Sequence, residues 1–264
     1  MSYSKISDIA PFKMFGNLYF VGCSRVSVHL IDTEEGLVII DTGFPEMFDQ
    51  IIFSIETLGF DPKNIIAIFH SHGHIDHFGT TLQLKELTGA KTYISRIDND
   101  IVNGTYDLSW AKELGYDALT KFDCDVLVED GDVFNFGTTS IRCRLTPGHT
   151  AGVLSFFVNI TDGSRTITAA MHGGMGFNSM TKEFLTSHGL SLECRDIFLK
   201  GLKELAKEKV DLVMGNHVGQ NDTRGKLKRV QEGCTDITDP EEWQKLLAAN
   251  EKSMLEMLEK ENEQ

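Results

Sequence analysis

Short apolar runs separated by glycine and acidic residues dominate the first half of the chain. Such runs are typical of buried β-strands. The strands predicted in this half are residues 18–21, 26–31, 37–40, 65–69 and 92–94. Two longer amphipathic segments predict helices, one at 45–58 that begins with Pro45 and ends before Gly59, and one at 78–87 that ends before Gly89. Strand and helix therefore alternate.

The second half of the chain repeats this organisation. Its alternating pattern predicts a meander of strands at residues 133–136, 141–145, 153–158 and 165–170. A helix at 192–207 and a last strand at 211–214 follow. Two strand-rich segments, each followed by helices, predict two sheets packed face to face with helices outside. No repeat, low-complexity tract or flexible linker divides the chain, so we expect a single domain over residues 1–264.

The charged C-terminal segment, residues 239–264, carries apolar residues spaced for one helix face. We expect a terminal helix packed on the body of the protein, with a dimer contact or a lid over the substrate as the alternatives. The sequence leaves the oligomeric state open.

Composition narrows the class of partner. The 264 residues include 25 Lys and Arg against 39 Asp and Glu, a formal net charge of −14. Nucleic acids and anionic membranes require a basic surface, so we expect neither as a partner and expect a small-molecule substrate instead. No uninterrupted apolar stretch follows residues 1–5, which predicts no signal peptide, no membrane span and a cytoplasmic location. The five scattered cysteines fit reduced thiols.

A dense group of candidate metal ligands follows the strand at 65–69. It reads His72-x-His74-x-Asp76-His77. Neutral imidazoles and an ionised carboxylate are ligands that zinc accepts, and a polar loop is the alternative interpretation. The alternating ligands suit an extended segment and the last pair suits a turn entering a helix, so one loop can face two metals. Active sites of layered α/β folds usually lie on such strand-to-helix loops.

Two more histidines follow predicted strands. His149 lies in Thr146-Pro147-Gly148-His149-Thr150, where proline and glycine fix the backbone, and His217 follows the strand at 211–214. Each alone is more typical of an ordinary hydrogen-bonded side chain. Their shared position after strands, beside an incomplete metal cluster, makes both candidate ligands.

These motifs resemble those of the metallo-β-lactamase fold superfamily. The matching residues are Asp41 in Ile40-Asp41-Thr42-Gly43, the cluster at 72–77, His149 and His217, and they span most of the chain. The resemblance implies an α/β fold, a four-layer αβ/βα sandwich with a metal site at one edge of its two sheets. It also implies two zinc ions per chain. The implied ligands are His72, His74 and His149 for the first ion, and Asp76, His77 and His217 for the second.

The resemblance assigns supporting roles as well. Asp41 would orient ligands by hydrogen bonds rather than bind metal. Many members bridge the two metals with an Asp after the strand that here ends at residue 170, but residues 171–174 read Met-His-Gly-Gly. The chain thus resembles the metallo-β-lactamase subclass whose second zinc is held by Asp, His and His alone. His172 is a candidate substrate contact or extra ligand, or a plain loop residue, and His70 is expected to support or pack beside the site.

The implied activity is zinc-dependent hydrolysis. Two zinc ions lower the pKa of a bound water to about 7 and so supply a hydroxide nucleophile, which Asp76 would hold and whose proton it could accept. The candidate substrates are cyclic amides including β-lactams, lactones and similar carbonyl compounds. A thioesterase or lactonase of glyoxalase II type is the alternative, and a non-catalytic metal-binding protein is the second alternative.

Two loops, at residues 103–119 and 174–190, are expected to shape the pocket. Their aromatic residues would line an apolar pocket or pack against one another. These residues are Tyr106, Trp110, Tyr116, Phe177 and Phe184.

Overall fold

The computed structural model describes residues 9–117 and 120–263. In these ranges seven strands form a first mixed sheet in which sequential strands are neighbours. Strands one to four pair antiparallel, and strands four to seven pair parallel. These strands are β1 (Phe12–Phe15), β2 (Leu18–Phe20), β3 (His29–Asp32), β4 (Leu37–Ile40), β5 (Ile65–Phe69), β6 (Lys91–Ser95) and β7 (Val126–Val128).

A second sheet of five strands packs on the first. Its members are β8 (Val133–Phe136), β9 (Thr139–Leu145), β10 (Leu154–Thr161), β11 (Thr166–Met171) and β12 (Leu212–Val213). The order across the sheet is β12-β11-β10-β9-β8, and only β11 and β12 run parallel. This parallel pair follows from the long crossover between its two strands, since a hairpin can join only antiparallel neighbours.

Eight α-helices are present in the described residues. They are α1 (Phe48–Thr57), α2 (Ile75–Phe78), α3 (Thr81–Thr88), α4 (Arg96–Val102), α5 (Lys182–Ser187), α6 (Cys194–Leu205), α7 (Thr223–Gln231) and α8 (Glu242–Asn262). None of the helices in the ranges described is long and apolar enough to cross a membrane.

The alternation of side chains along each strand builds the layers. In β4, Val38 and Ile40 belong to the core between the sheets, whereas Leu37 and Ile39 belong to the cluster that includes Ile51 of α1. On the second sheet, residues of β10 likewise point alternately to the central core and to a cluster that contains α6 and α8. The predicted four-layer αβ/βα sandwich is confirmed.

The local predictions differ from the structure mainly at short elements. The strands at 37–40, 65–69 and 133–136 have the predicted bounds. The helix predicted at 78–87 corresponds to α3, and a separate short helix, α2, precedes it. Gly79, between the two, abuts the segment before α1, where a Cβ would lie 2.4 Å from the Pro45 nitrogen. The sequence pattern does not predict five elements of nine residues or fewer, which are β1, β7, α4, α5 and α7.

The predicted C-terminal helix is α8, and it packs on α6 and the second sheet. Trp243 is buried against Phe157, with ring centroids 5.9 Å apart, and its Nε1 donates to the Leu205 carbonyl at 3.0 Å. Burial of a large aromatic side chain with its one polar atom satisfied anchors the helix firmly.

A buried lysine joins α7, α8 and β12. Lys226 Nζ is fully buried and donates to both carboxylate oxygens of Glu242 at 2.7 Å, to the Val213 carbonyl at 3.1 Å and to the Asn221 carbonyl at 2.8 Å. Burial lowers the pKa of Lys226 and raises the pKa of Glu242, and the attraction within the pair opposes both shifts. The ion pair therefore holds the chain in place directly after β12.

We expect Lys226→Ala to lower the free energy of unfolding by about 3 kcal/mol, because it leaves a largely buried carboxylate and two carbonyls without their donor. Urea denaturation at neutral pH measures this change. The matched control is Lys228→Ala, whose side chain is 75% exposed beside Glu232 and should change stability by less than about 1 kcal/mol. Equal effects of the two substitutions would show that the buried pair does not stabilise the fold.

Candidate metal centre

The six predicted ligands converge at one edge of the sandwich. Four of them lie on the loop after β5 and in the short helix α2, and the other two follow β9 and β12. The first sheet thus supplies four ligands and the second sheet supplies two. The edge predicted from the sequence carries the site, and it forms only when the two sheets pack together.

The first group consists of His72, His74 and His149. One ring nitrogen from each lies within 4.8 Å of the others, and all three side chains are buried. The ring centroids are 4.5 to 4.8 Å apart and the rings are nearly perpendicular, between 74° and 76°. Three imidazoles at this separation can converge on a single cation.

The second group consists of Asp76, His77 and His217. His77 Nε2 lies 3.5 Å from Asp76 Oδ2, and His217 Nε2 lies 3.7 Å from the same oxygen. The ring centroids of His72 and His77 are 4.2 Å apart. The two groups are therefore immediate neighbours.

Hydrogen bonds at Nδ1 decide which nitrogen of each ring faces the site. His77 Nδ1 donates to Asp41 Oδ2 at 2.8 Å, His149 Nδ1 to the Gly176 carbonyl at 2.7 Å and His217 Nδ1 to the Arg25 carbonyl at 2.8 Å. Because carboxylate and carbonyl oxygens only accept, each neutral ring carries its proton on Nδ1 and keeps a lone pair on Nε2.

His72 reaches the same tautomer through a serine. The Ser71 hydroxyl donates to Asp41 Oδ2 at 2.8 Å, so it can only accept from His72 Nδ1, which lies 3.0 Å away. His72 Nε2 and His77 Nε2 are both buried without any hydrogen-bond partner. Buried polar atoms are rarely left unpaired in proteins, and a metal ion would satisfy both atoms.

The protonation of the three rings in the first group also suits metal binding. Burial lowers the pKa of His72 and His74 well below the ordinary value, and it lowers the pKa of His149 to about 4. Burial opposes the charge on His77 as well, but Asp76 and Asp41 outweigh it and raise its pKa. Neutral imidazoles and one carboxylate are the donor set of a borderline cation such as zinc, so the residues fit the metal that the resemblance implies.

Asp41 ties the ligand loop to the first sheet. Its carboxylate is buried, and it accepts from the Ser71 backbone nitrogen at 2.7 Å, from the Ser71 hydroxyl and from His77. The residue has a positive φ of 61°, which costs of order 1 kcal/mol for a residue with a Cβ. The structure therefore places Asp41 behind the ligands.

Asp98, on α4, is a residue of the site that the sequence does not predict. Its carboxylate is fully buried, and Oδ2 accepts from the Gly73 nitrogen at 2.8 Å and from Thr150 Oγ1 at 2.5 Å. Burial raises its pKa to about 6, against the hydrogen bonds that lower it. Since Gly73 lies between two predicted ligands and Thr150 follows His149, one carboxylate holds both ligand loops of the first group. The Ser95-x-x-Asp98 spacing marks a helix start but not these long-range contacts.

His70 and His172 lie outside both groups. The two ring nitrogens of His70 are hydrogen-bonded, to the Tyr93 carbonyl at 3.0 Å and to Thr81 Oγ1 at 2.8 Å, so neither has a lone pair available for a metal. His172 is buried, and its Nδ1 accepts from the Gly174 nitrogen at 3.2 Å while its ring contacts Phe198. Both therefore support the surrounding loops in this structure.

A cleft of about 210 Å³ opens onto the two groups. Trp110 lines it and is notable for a positive φ of 60° and for a buried Nε1 without a partner. Its ring stacks on Phe184, with centroids 5.3 Å apart. Of the aromatic residues predicted to shape the pocket, Trp110 and Phe184 therefore lie near the cleft. Tyr116 instead donates a hydrogen bond to Glu46, and Phe177 packs on Phe198.

The chain belongs to the metallo-beta-lactamase superfamily. Residues 21–162, more than half of the chain, match the sequence profile of that family. This family and the six-residue site together define a metallo-hydrolase.

Individual relatives are more distant. An uncharacterized protein of Aquifex aeolicus is 30% identical over 138 residues, which are 52% of this chain and 59% of that protein, so less than two thirds of its length is covered. An N-acyl homoserine lactonase of Bacillus thuringiensis is 23% identical over 216 residues, or 72% of this chain and 79% of the lactonase.

Solved structures match the fold almost completely. The FEZ-1 metallo-beta-lactamase of Legionella gormanii is 25% identical and superposes with a TM-score of 0.88, covering 97% of this chain and 98% of that one. BJP-1, a subclass B3 metallo-beta-lactamase of Bradyrhizobium japonicum, is 23% identical with a TM-score of 0.87, covering 97% and 96%. The likeness to these two structures confirms the predicted fold.

We expect Asp98→Ala to weaken zinc binding about 10- to 100-fold, because the loops that carry His72, His74 and His149 lose their shared acceptor. Competition with a chromogenic chelator measures the affinity. The control is Asp49→Ala, which removes an exposed carboxylate from α1. An Asp98 variant that holds zinc as tightly as this control would show that the carboxylate does not position the ligands.

Proposed function

We propose that this protein is a dinuclear zinc hydrolase that opens a cyclic amide, lactone or similar carbonyl substrate. His72, His74 and His149 would hold one zinc ion, and Asp76, His77 and His217 would hold the other. The observation that carries the proposal is the adjacency of the two groups beside one cleft, with Nε2 of His72 and of His77 buried without a hydrogen-bond partner.

When bound, two zinc ions would supply a water of lowered pKa as nucleophile and would polarise the scissile carbonyl. The lining of the cleft supports this chemistry because it offers no side chain for the alternative, a covalent acyl-enzyme mechanism. Among the described residues that line it there is no serine, threonine, cysteine or lysine that could attack a carbonyl. A covalent acyl-enzyme mechanism would need such a residue.

Asp76 is the group we assign to proton transfer. Its side chain is 14% exposed and lies on the floor of the cleft, between His77 and His217. A carboxylate in this position can accept a hydrogen bond from the attacking water and receive its proton as the bond to the carbonyl carbon forms. Asp41 and the carbonyl of Arg25 fix the two neighbouring rings from behind, so that their orientation does not change during this step.

Two relatives guide the substrate class. The N-acyl homoserine lactonase aligns over 72% of this chain and supports a lactone, and the β-lactamase structures support a cyclic amide. A glyoxalase II type thioesterase is less well supported, because no carboxylate follows β11, where His172 and Gly173 stand. A non-catalytic role is less well supported too, since all six ligand positions are filled and four of the six side chains line the cleft.

Metal content tests the dinuclear site. We expect protein loaded with zinc and then desalted to retain about two zinc ions per chain by mass spectrometry of the metal, since three protein ligands suffice for a zinc site with one open position. His217→Ala should reduce this to about one, because it removes a ligand from the second group alone. His188→Ala is the control, since His188 is exposed and lies in neither group. Unchanged stoichiometry in the His217 variant would contradict the assignment.

Catalysis tests the role of Asp76. We expect Asp76→Asn, which preserves size but cannot accept a proton, to lower kcat/KM by about 10² to 10⁴ on whichever substrate the protein cleaves. A chromogenic cephalosporin, a γ-lactone and a thioester form the assay panel, and zinc content is measured on the same samples. Asp196→Ala, an exposed change on α6, is the control. Full turnover in the Asn variant would rule out the proposed proton acceptor.

A further inference from the structure

A second, larger cavity lies beside the cleft of the metal centre. Its volume is about 550 Å³, within the range of small-molecule pockets, and it is bounded by α4, α5, α6 and the loop that carries His149. His74 and His149 line both this cavity and the cleft. A molecule whose reacting carbonyl lies in the cleft can therefore extend directly into the larger cavity.

The exposed surface of the larger cavity is mainly apolar, and aliphatic side chains lie there beside the aromatic Tyr106 and Phe184. α4 contributes Ile97 and Ile101, α6 contributes Ile197, and the segment between α5 and α6 contributes Leu190. Three of these side chains are unusually exposed for isoleucine and leucine, Ile97 by 44%, Ile197 by 47% and Leu190 by 38%. Apolar side chains gathered on one concave surface mark a binding site rather than random exposure.

Several polar groups of this cavity are already engaged. Arg96 Nε donates to Glu129 at 2.5 Å, Asp98 holds the two ligand loops, and the Ser179 hydroxyl donates to the His149 carbonyl at 2.6 Å. The charged groups that remain on the lining, Asp100 and Glu193, are acidic. The cavity therefore disfavours an anionic occupant and offers few polar contacts to any occupant.

We propose that the larger cavity binds a neutral aliphatic chain attached to the scissile carbonyl compound, so that the substrate is amphipathic. This inference rests on the proposed hydrolase function for the position of the carbonyl, but it assigns a separate site. The chain would cover Ile97, Ile197 and Leu190, and the removal of their apolar surface from water would contribute most of its affinity.

The first test measures binding without hydrolysis. Linear N-alkyl acetamides with about four to about ten carbons in the alkyl chain are titrated calorimetrically into the zinc-loaded protein, and we expect affinity to rise about fourfold per added CH₂ group. The heat capacity change should become more negative with chain length. Affinity that does not depend on chain length would overturn the proposal, and so would tighter binding of an aromatic amide with the same number of carbons.

Substitutions in the wall of the larger cavity test where the alkyl chain of the amide binds. Ile97→Gln and Ile197→Gln change exposed positions, so they should preserve the fold, and each should weaken binding of the longest amide about tenfold. Leu255→Gln is the matched control, since Leu255 is 46% exposed on α8 and does not line the cavity. Equal affinity in all three variants would place the amide elsewhere and overturn the proposal.

A second assay separates this inference from the proposed function. It measures kcat/KM for lactones that share one ring and carry acyl chains of increasing length. Turnover that rises with chain length in the native protein, with a flatter slope in the Ile97 and Ile197 variants, supports both proposals. Length-dependent amide binding without hydrolysis of these lactones or of the cephalosporin and thioester in the assay panel supports the cavity and refutes the hydrolase. Hydrolysis that is equally fast for all chain lengths supports the hydrolase and refutes the cavity.

Discussion

The buried carboxylate of Asp41 is the interaction on which the metal centre depends. It accepts three hydrogen bonds, two from Ser71 and one from His77. Through the first pair it fixes the start of the ligand loop and the tautomer of His72, and through the third it fixes the tautomer of His77. A buried polar group is stable only when its hydrogen bonds are complete, so the arrangement of this loop and the burial of the Asp41 side chain support each other.

The same principle governs the ligands from the second sheet. His149 and His217 each donate from Nδ1 to a backbone carbonyl, and those of Gly176 and Arg25 lie on other loops of the sandwich. Every ring that these bonds fix turns Nε2 toward the cleft. Backbone contacts that depend on the packing of both sheets thus set the direction of these two rings.

The sequence predicted the parts of this arrangement that are local. Strands with continuous apolar runs, such as β4 and β5, were predicted with their bounds. The candidate ligands could be proposed because their residue types are distinctive at close spacing, and the structure brings them together in two groups. Short elements such as α4 and α5 were missed because so few residues show no clear period. Asp98 was missed for a different reason: its partners, Gly73 and Thr150, are 25 and 52 residues away, and only the folded chain brings them together.

Asp98 also connects the metal centre with the larger cavity. Its helix, α4, presents Ile97 and Ile101 to that cavity, while the Asp98 carboxylate between them holds the loops of His74 and His149. Gly73 packs directly on Ile101, where a Cβ would lie 2.8 Å from the isoleucine Cβ. An aliphatic substrate chain bound against α4 would therefore press on the helix that positions two candidate metal ligands, His74 and His149. Because the contact between Gly73 and Ile101 is tight, the position of the aliphatic substrate chain and the geometry of the reacting centre depend on each other.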